Sequence, residues 1–437
     1  MTDAADMTPA APVAAPSAPL RDRLAAGLKR RHARENRFRW YGRLAIIAAL
    51  AFLALLMGRI VSQGYTAFYI HTAAVAVHLD PAKVDRGYPA GSNFEQMAAE
   101  QMLARWGETD DAAGTKAKAL RSLFSSELKF RAAEMVTRQP GLIGETVPVT
   151  APLSDDADLY LKGKISRDVP SDQRRLSDQQ LNWLDRMQAD GLVASRFNSA
   201  LFLNGDSTEP ELAGVLGAVV GSALMLLVTA LIAIPLGVGA AIYLEEFSPR
   251  NRISELIEVN INNLAAVPSI VYGLLGLALF INWMHLPRAS PLVGGLVLAL
   301  MALPTLIIAT RSSLKAVPPS IREAALAMGA SRTQAVFGHV LPLAMPGVMT
   351  GAIISMAHAL GETAPLLLIG MISFVPGVPA AIDQPAGALP SLIYIWENAS
   401  ERAFHERTAA AIMVLLAFMI LMNAAAIILR RRFERRW

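Results

Sequence analysis

The chain has 437 residues, 53% of them hydrophobic and only 17% charged, with a mean hydropathy of +0.38. That is too apolar for an ordinary soluble protein of this length and points to a membrane bundle. The absence of cysteine excludes a disulfide framework, a thiolate metal site and a cysteine nucleophile, and the formal charge of +4 does not argue for a nucleic-acid partner, because the basic residues cluster beside apolar runs.

Residues 1–20 are rich in Ala, Pro, Ser and Thr and are expected to be disordered. After them, Arg21, Arg23, Lys29, Arg30, Arg31, Arg34, Arg37, Arg39 and Arg43 stand against Asp22 and Glu35. Residues 1–43 therefore read as a disordered and basic N-terminus held in the cytoplasm. A cleaved leader is not expected, since the first apolar run begins only near Leu44.

A helix needs about 20 mostly apolar residues to cross a bilayer. Six segments meet that demand: 44–62, 212–244, 264–283, 292–310, 344–374 and 408–429. Arg59, near the far end of the first, can snorkel to the interface. The second and fifth are longer than a bilayer requires, and their Pro and Gly residues allow them to tilt or break. Alternation from a cytoplasmic N-terminus returns the C-terminus to the cytoplasm, in agreement with the basic tail of residues 431–437. The loop of residues 245–263 should share that side, yet its acids outnumber Arg250 and Arg252; a membrane-surface helix is the expectation there.

Between the first two spans lies an extracytoplasmic insert, residues 63–210. Residues 65–79 alternate like a strand, and 93–106, 116–138 and 178–190 have helical composition. The expected fold is an all-α polytopic membrane protein with six transmembrane helices. Five of them belong to a core of residues 211–430, and the insert is a small α+β domain.

Three stretches carry candidate chemistry. The first is Glu323-Ala324-Ala325, then Gly329, then Leu341-Pro342. Helix formers run up to Met328, Gly329 suits the left-handed conformation that closes a helix, Ser331 can cap a second helix, and Pro342 is expected to end it. Arg311, Lys315, Arg322 and Arg332 lie close by in sequence. The second stretch, around Asn263, Pro268, Ser269 and Tyr272, is a proline-interrupted helix start at the membrane face. The third, Gly361-Glu362-Thr363-Ala364-Pro365, places a carboxylate at membrane depth, where an acidic residue costs about 2.5 to 3.5 kcal/mol. His358 stands four residues earlier, on the same helical face.

Other features are negative or bland. There is no Gly-x-x-x-x-Gly-Lys-Ser/Thr loop, so ATP would have to be hydrolysed by another subunit. The seven histidines show no zinc spacing. His71 and His78 read as surface residues of a strand, and Arg167, Arg174 and Arg175 as a solvated face.

The spacing of the Glu323 loop resembles the signature loop of binding-protein-dependent ABC importer permeases, in which it is the helix that docks on the ATPase. Together with the stretches NLAAVPSIVYGLLGLALF and GETAPLL, it makes the chain resemble the PstA-type permeases of phosphate ABC importers, from about Gly214 to Arg430. His339 departs from the family's aliphatic preference, and Val340 is expected to take the packing role. His358 departs from the Arg that many relatives carry. The resemblance implies a PstC-like partner permease, two ATPase subunits that use ATP and Mg, a periplasmic phosphate-binding protein and surrounding lipid. It implies no cofactor on this chain and no enzymatic activity of its own. Rival readings are a permease for molybdate or sulfate, a proton-coupled transporter using Glu362 and His358, and a membrane-anchored sensor.

Overall fold

The computed structural model describes residues 20–108, 114–249 and 251–433. The disorder expected for residues 1–19 and the basic pair Arg435-Arg436 lie outside the described residues. By internal contacts the chain divides after Arg59 into two units. Helix α1, Leu20–Gly64, begins well before the apolar run. The basic stretch after Leu20 is thus helical rather than disordered. It contains no proline and is dominated by Arg, Ala and Leu, all strong helix formers.

The insert is built on a three-stranded antiparallel sheet of order β2-β1-β3. Strand β1, Tyr69–His78, is central. It is followed by α2 (Phe94–Arg105), α3 (Thr115–Arg121) and α4 (Glu127–Arg138), then β2 (Thr146–Pro152), α5 (Asp155–Leu161), α6 (Asp178–Ala189) and β3 (Val193–Phe197). Val75 and Val77 alternate inward with Val147 and Val149 of β2, and meet Phe94, Leu103, Leu120, Leu128 and Leu184 from the helices. The single helix expected over 116–138 is two, because Ser122 to Ser126 forms the turn between α3 and α4. Helix α6 starts at a capping box: Ser177 accepts from the Gln180 N–H, and Gln180 accepts from the Ser177 N–H.

The short helix α7, Ala200–Leu203, leads into the membrane core. Its helices are α8 (Leu216–Ile242), α9 (Arg252–Ala265), α10 (Ser269–Gly276), α11 (Pro291–Lys315), α12 (Pro319–Ala327), α13 (Arg332–Ala335), α14 (Leu341–Gly361), α15 (Ala364–Leu368), α16 (Leu389–Glu397) and α17 (Arg402–Phe433). Among the described residues five helical runs are long and apolar enough to cross a membrane: Arg31–Phe68, Leu216–Phe247, Pro291–Lys315, Arg332–Gly361 and Arg402–Arg432. Helices α9 and α10, bent by 101°, supply a sixth crossing if counted together. The fold is that of a polytopic helical membrane protein carrying a small α+β insert, as the sequence suggests. Helix α8 packs along α11, where the Thr229 hydroxyl donates to the carbonyls of Met225 and Gly295.

The fifth expected span differs from expectation at both ends. The segment 344–374 does not continue as one helix: α14 stops at Gly361, and Glu362 takes an extended backbone. Pro365 is the reason, since it lacks an N–H and sits in the first turn of the new helix α15. The same span also starts earlier, at Arg332, through a π-type turn over Val336–Val340. Pro342 therefore does not end a helix; the wider turn before it absorbs its missing N–H.

A buried ionic cluster ties the insert to α17. Lys162 lies 2.7 Å from Asp158 and 2.8 Å from Glu406. The Nδ1 of His71 is 2.8 Å from Asp158, whose carboxylate also accepts the His71 backbone N–H. His71 is therefore not a free surface residue. The guanidinium of Arg407, buried beside them, donates to the Ala213 carbonyl at 2.7 Å. Burial alone would raise the Asp158 carboxyl, but the His71 hydrogen bond and the Lys162 charge more than offset it and hold it below its ordinary 3.8. Glu211 at the same junction behaves oppositely. Burial, reinforced by Asp155 and Glu209, pushes it from 4.5 up to about 7.

Candidate functional site

The Glu323 loop folds as two helices around a sharp corner. Helix α12 closes with a Schellman motif: the Ala330 N–H donates to the Ala325 carbonyl and the Gly329 N–H to the Leu326 carbonyl. Gly329 has φ +88, the left-handed region that side chains avoid. Ser331 then caps α13 in a box with Gln334. Ala325, Val336 and Val340 point inward, while Glu323, Ala324, Gly329 and His339 are exposed. Leu326, Met328 (78% exposed) and Phe337 (53%) add large apolar side chains to the outer face. The Glu323 side chain has no hydrogen bond or ion pair among the described residues.

The inner face is clamped. The Arg322 guanidinium reaches Glu246 with Nη2 at 2.6 Å from Oε1 and Nε at 3.1 Å from both oxygens. It also donates to the carbonyls of Leu314 and Val317 at 2.8 Å, covering the C-terminal end of α11. Beside it, Arg311 lies 3.3 Å from Glu245 and 3.1 Å from Glu258, and Lys315 lies 3.7 Å from Glu245. These contacts explain the acids of the 245–263 loop: they neutralise basic residues of α11 and α12. The signal was in the sequence, as an acid-rich loop and a base-rich loop on one expected side.

The other two stretches meet inside the core. Helix α9 ends at Ala265, Pro268 opens α10, and Ser269 is its first residue. The Tyr272 hydroxyl donates to the Leu264 carbonyl at 2.8 Å and pins the corner. Asn263, in the last turn of α9, is exposed. One turn into α10, Gly273 lies so close to Pro365 that a Cβ there would stand 2.7 Å from the Pro365 Cα. The Asn263 and Glu362 stretches are thus neighbours, though about a hundred residues separate them. At the break after Gly361, His358 Nε2 lies 3.2 Å from Glu362 Oε1. His358 is exposed, whereas Glu362 is mostly covered and Thr363 leads into α15. Among the described residues no hydrogen bond or ion pair joins the Glu323 loop to this pair; α14 runs between them.

The three arginines read from the sequence as a solvated face are paired within the insert. Arg167 lies 2.6 Å from Asp185, Arg174 pairs with Asp178, and Arg175 lies 4.0 Å from Asp156. Among the described residues no group of three or more His, Cys, Asp or Glu forms a metal site.

Comparison with known proteins matches two regions. Residues 233–437 match the family described as Binding-protein-dependent transport system inner membrane component. Residues 25–171 match a Domain of unknown function, DUF3333. A Bacillus subtilis protein named "Probable ABC transporter permease protein YqgI" is 31% identical over 49% of this chain and 76% of its own length. Phosphate transport system permease protein PstA 2 of Mycobacterium bovis is 32% identical over 51% of this chain and 74% of its own. PstA 1 of Mycobacterium tuberculosis is 33% identical over 52% and 74%.

Proposed function

Because this chain belongs to the binding-protein-dependent transport-system inner membrane components, as one of their PstA-type permeases, we propose that it is the transmembrane subunit of an ATP-driven phosphate importer, coupled to its ATPase through α12 and the Gly329 corner. The observation that carries the coupling role is the two-sidedness of that corner. Its outer face is an unpaired carboxylate, Glu323, among exposed small and apolar side chains. Its inner face is fixed to α8 and α11 by Arg322. A partner that pushes on α12 therefore pushes on two spans.

The chain is a multi-pass subunit of the inner membrane and not an enzyme. In the proposed topology both termini and the α12 loop face the cytoplasm, and the insert faces outward. The proposed assembly adds a PstC-like permease, two ATPase subunits that bind ATP and Mg, and a periplasmic phosphate-binding protein. Phosphate is supported by the names of the PstA relatives. ATP-driven closure of the ATPases would move α12 and Leu341-Pro342 and bias the core between outward and inward states, which requires different partner affinities for the two.

In this scheme the contact of Gly273 with Pro365, with Asn263, Pro268, Ser269 and Tyr272 shaping one side and Gly361, Glu362, Thr363 and His358 the other, forms part of the path. A lone Glu362 would repel phosphate, so its role is to hold a basic group at a gate: His358 from this chain, or a residue of the partner. The test is competition in proteoliposomes containing the full complex. Unlabelled phosphate should suppress labelled phosphate uptake far better than molybdate or sulfate; equal or better suppression by either oxyanion would reassign the cargo.

A further inference from the structure

The junction between the insert and the spans carries an exposed aromatic patch outside the residues assigned above to coupling and to the path. Three phenylalanine rings stack in a row: Phe68 on Phe202 with centroids 5.8 Å apart, and Phe202 on Phe197 at 5.8 Å, both nearly parallel. Tyr69 stands directly opposite Phe197 in the β1–β3 ladder, so the two side chains share a face. Tyr65, Tyr69, Phe197 and Leu203 are each more than half exposed. Scattered single apolar residues need no explanation, but a contiguous group of this kind does.

Three contacts fix the level of this patch relative to the spans. Gly64, the residue before Tyr65, is packed so tightly on α17 that a Cβ there would lie 2.8 Å from the backbone of Ala409, inside the last span. The Asn198 side chain donates to the Ala67 carbonyl at 3.0 Å, and the Asn198 N–H to the Phe68 carbonyl, holding the end of β3 to the end of the first span. The Val215 N–H donates to the Leu201 carbonyl and the Leu216 N–H to the Asn204 carbonyl, so Leu203 sits at the mouth of α8. The patch therefore lies at the shared end of three candidate spans, and amphipathic aromatic rings are most stable at a membrane–water boundary.

We propose that Tyr65, Phe68, Tyr69, Phe197, Phe202 and Leu203 form an interfacial anchor that seats the insert in the lipid headgroup boundary of the leaflet on its own side. The occupant of the patch is lipid, because the patch continues the surface of helices that are themselves membrane-spanning. The rings supply apolar area and their edges tolerate the wet boundary. The insert is then a monotopic element held at the bilayer, with its β1 end immersed and its ionic cluster just above. This inference rests on the membrane location of the chain and not on its cargo.

The chain has no cysteine, which makes single-site labelling clean. Leu203→Cys and Tyr69→Cys would each carry a nitroxide in the complex reconstituted into phosphatidylethanolamine–phosphatidylglycerol vesicles. Tyr88→Cys, exposed beyond the far end of β1, is the reference. The spectra read collision with lipid-soluble oxygen against a water-soluble nickel chelate. The anchor predicts that oxygen dominates at positions 203 and 69, with the ratio reversed relative to position 88. Nickel dominance at both test positions would overturn it by placing the patch in water. Protection from both reagents would also overturn it, by showing that a protein partner covers the patch.

Discussion

Arg322, on α12, and Glu246, in the π-type turn of Tyr243–Phe247 that continues α8, form a bidentate ion pair across 76 residues of sequence. The pair is mostly buried, and the same guanidinium covers the end of α11. Removing one partner of a buried pair strands the other. Arg322 is about a quarter exposed, so the stability cost of Glu246→Gln should be moderate, ~2 kcal/mol. Its effect on coupling should exceed that: ATP hydrolysis continues while uptake per ATP falls. Arg322→Lys should behave alike, because an ammonium cannot hold two carbonyls and a bidentate carboxylate together. Unchanged uptake per ATP in both variants would remove the strut from the account.

The corner at Gly329 gives an independent test of the same coupling. A Cβ there would meet nothing within 4 Å, so the cost of Gly329→Val is backbone strain alone, about 1–3 kcal/mol. The expected result is an assembled permease core whose ATPase binds weakly or no longer responds to the loaded binding protein. A variant with normal, substrate-stimulated ATPase activity would count against docking through this corner.

How much of this was legible in the sequence depends on the length scale. The corner was legible because its turn chemistry is local: Gly329, Ser331 and Gln334 lie within six residues. The spans were legible from apolar length, but their ends were not. Pro342 reads locally as a stop, yet a π-type turn carries the helix through it. The insert's α2 and α6 were legible, whereas β2 was hidden by Pro148 and Pro152 and β3 is only five residues long. Pairings of high sequence separation left only indirect traces. The acids at 245–263 looked discordant with their side of the membrane until Arg311 and Arg322 were seen beside them, and His71 looked like a surface residue until Asp158 closed on it.

The gate proposal rests on close packing as well as on charge. Gly273→Ala places a methyl against the Pro365 backbone, where nothing can give without moving α10 from α15. Overpacking of this kind costs about 1–3 kcal/mol, and uptake should fall while the Gly329 corner and ATPase docking remain normal. Glu362→Gln should abolish uptake with assembly intact, and His358→Arg should preserve it, since a permanent cation can fill the same place. Normal uptake by Glu362→Gln would remove that carboxylate from the gate.

The junction of insert and core should lose stability as pH rises from mildly acidic to neutral. Glu211 is raised from 4.5 to about 7 by burial and by neighbouring Asp155 and Glu209. A carboxyl raised in the folded state holds its proton more tightly there. Its stabilisation is complete at acidic pH and is lost as pH rises through about 7. A shift of that size corresponds to ~3 kcal/mol. Asp158 acts oppositely, but its contribution disappears only as pH falls below 3.8, outside this window. Thermal stability should therefore decline between about pH 4.5 and pH 7, level off above that, and Glu211→Gln should flatten the decline. An equally steep profile in the variant would assign the effect elsewhere.

The central claim is that this permease moves phosphate only when an ATPase drives it through α12. The most direct measurement is labelled phosphate accumulation in proteoliposomes containing the chain, its partner permease, the ATPase and the binding protein, with ATP enclosed on the ATPase side. The account predicts accumulation against a gradient that vanishes when the ATPase cannot hydrolyse ATP. Accumulation that persists without hydrolysis and follows a proton gradient instead would contradict it.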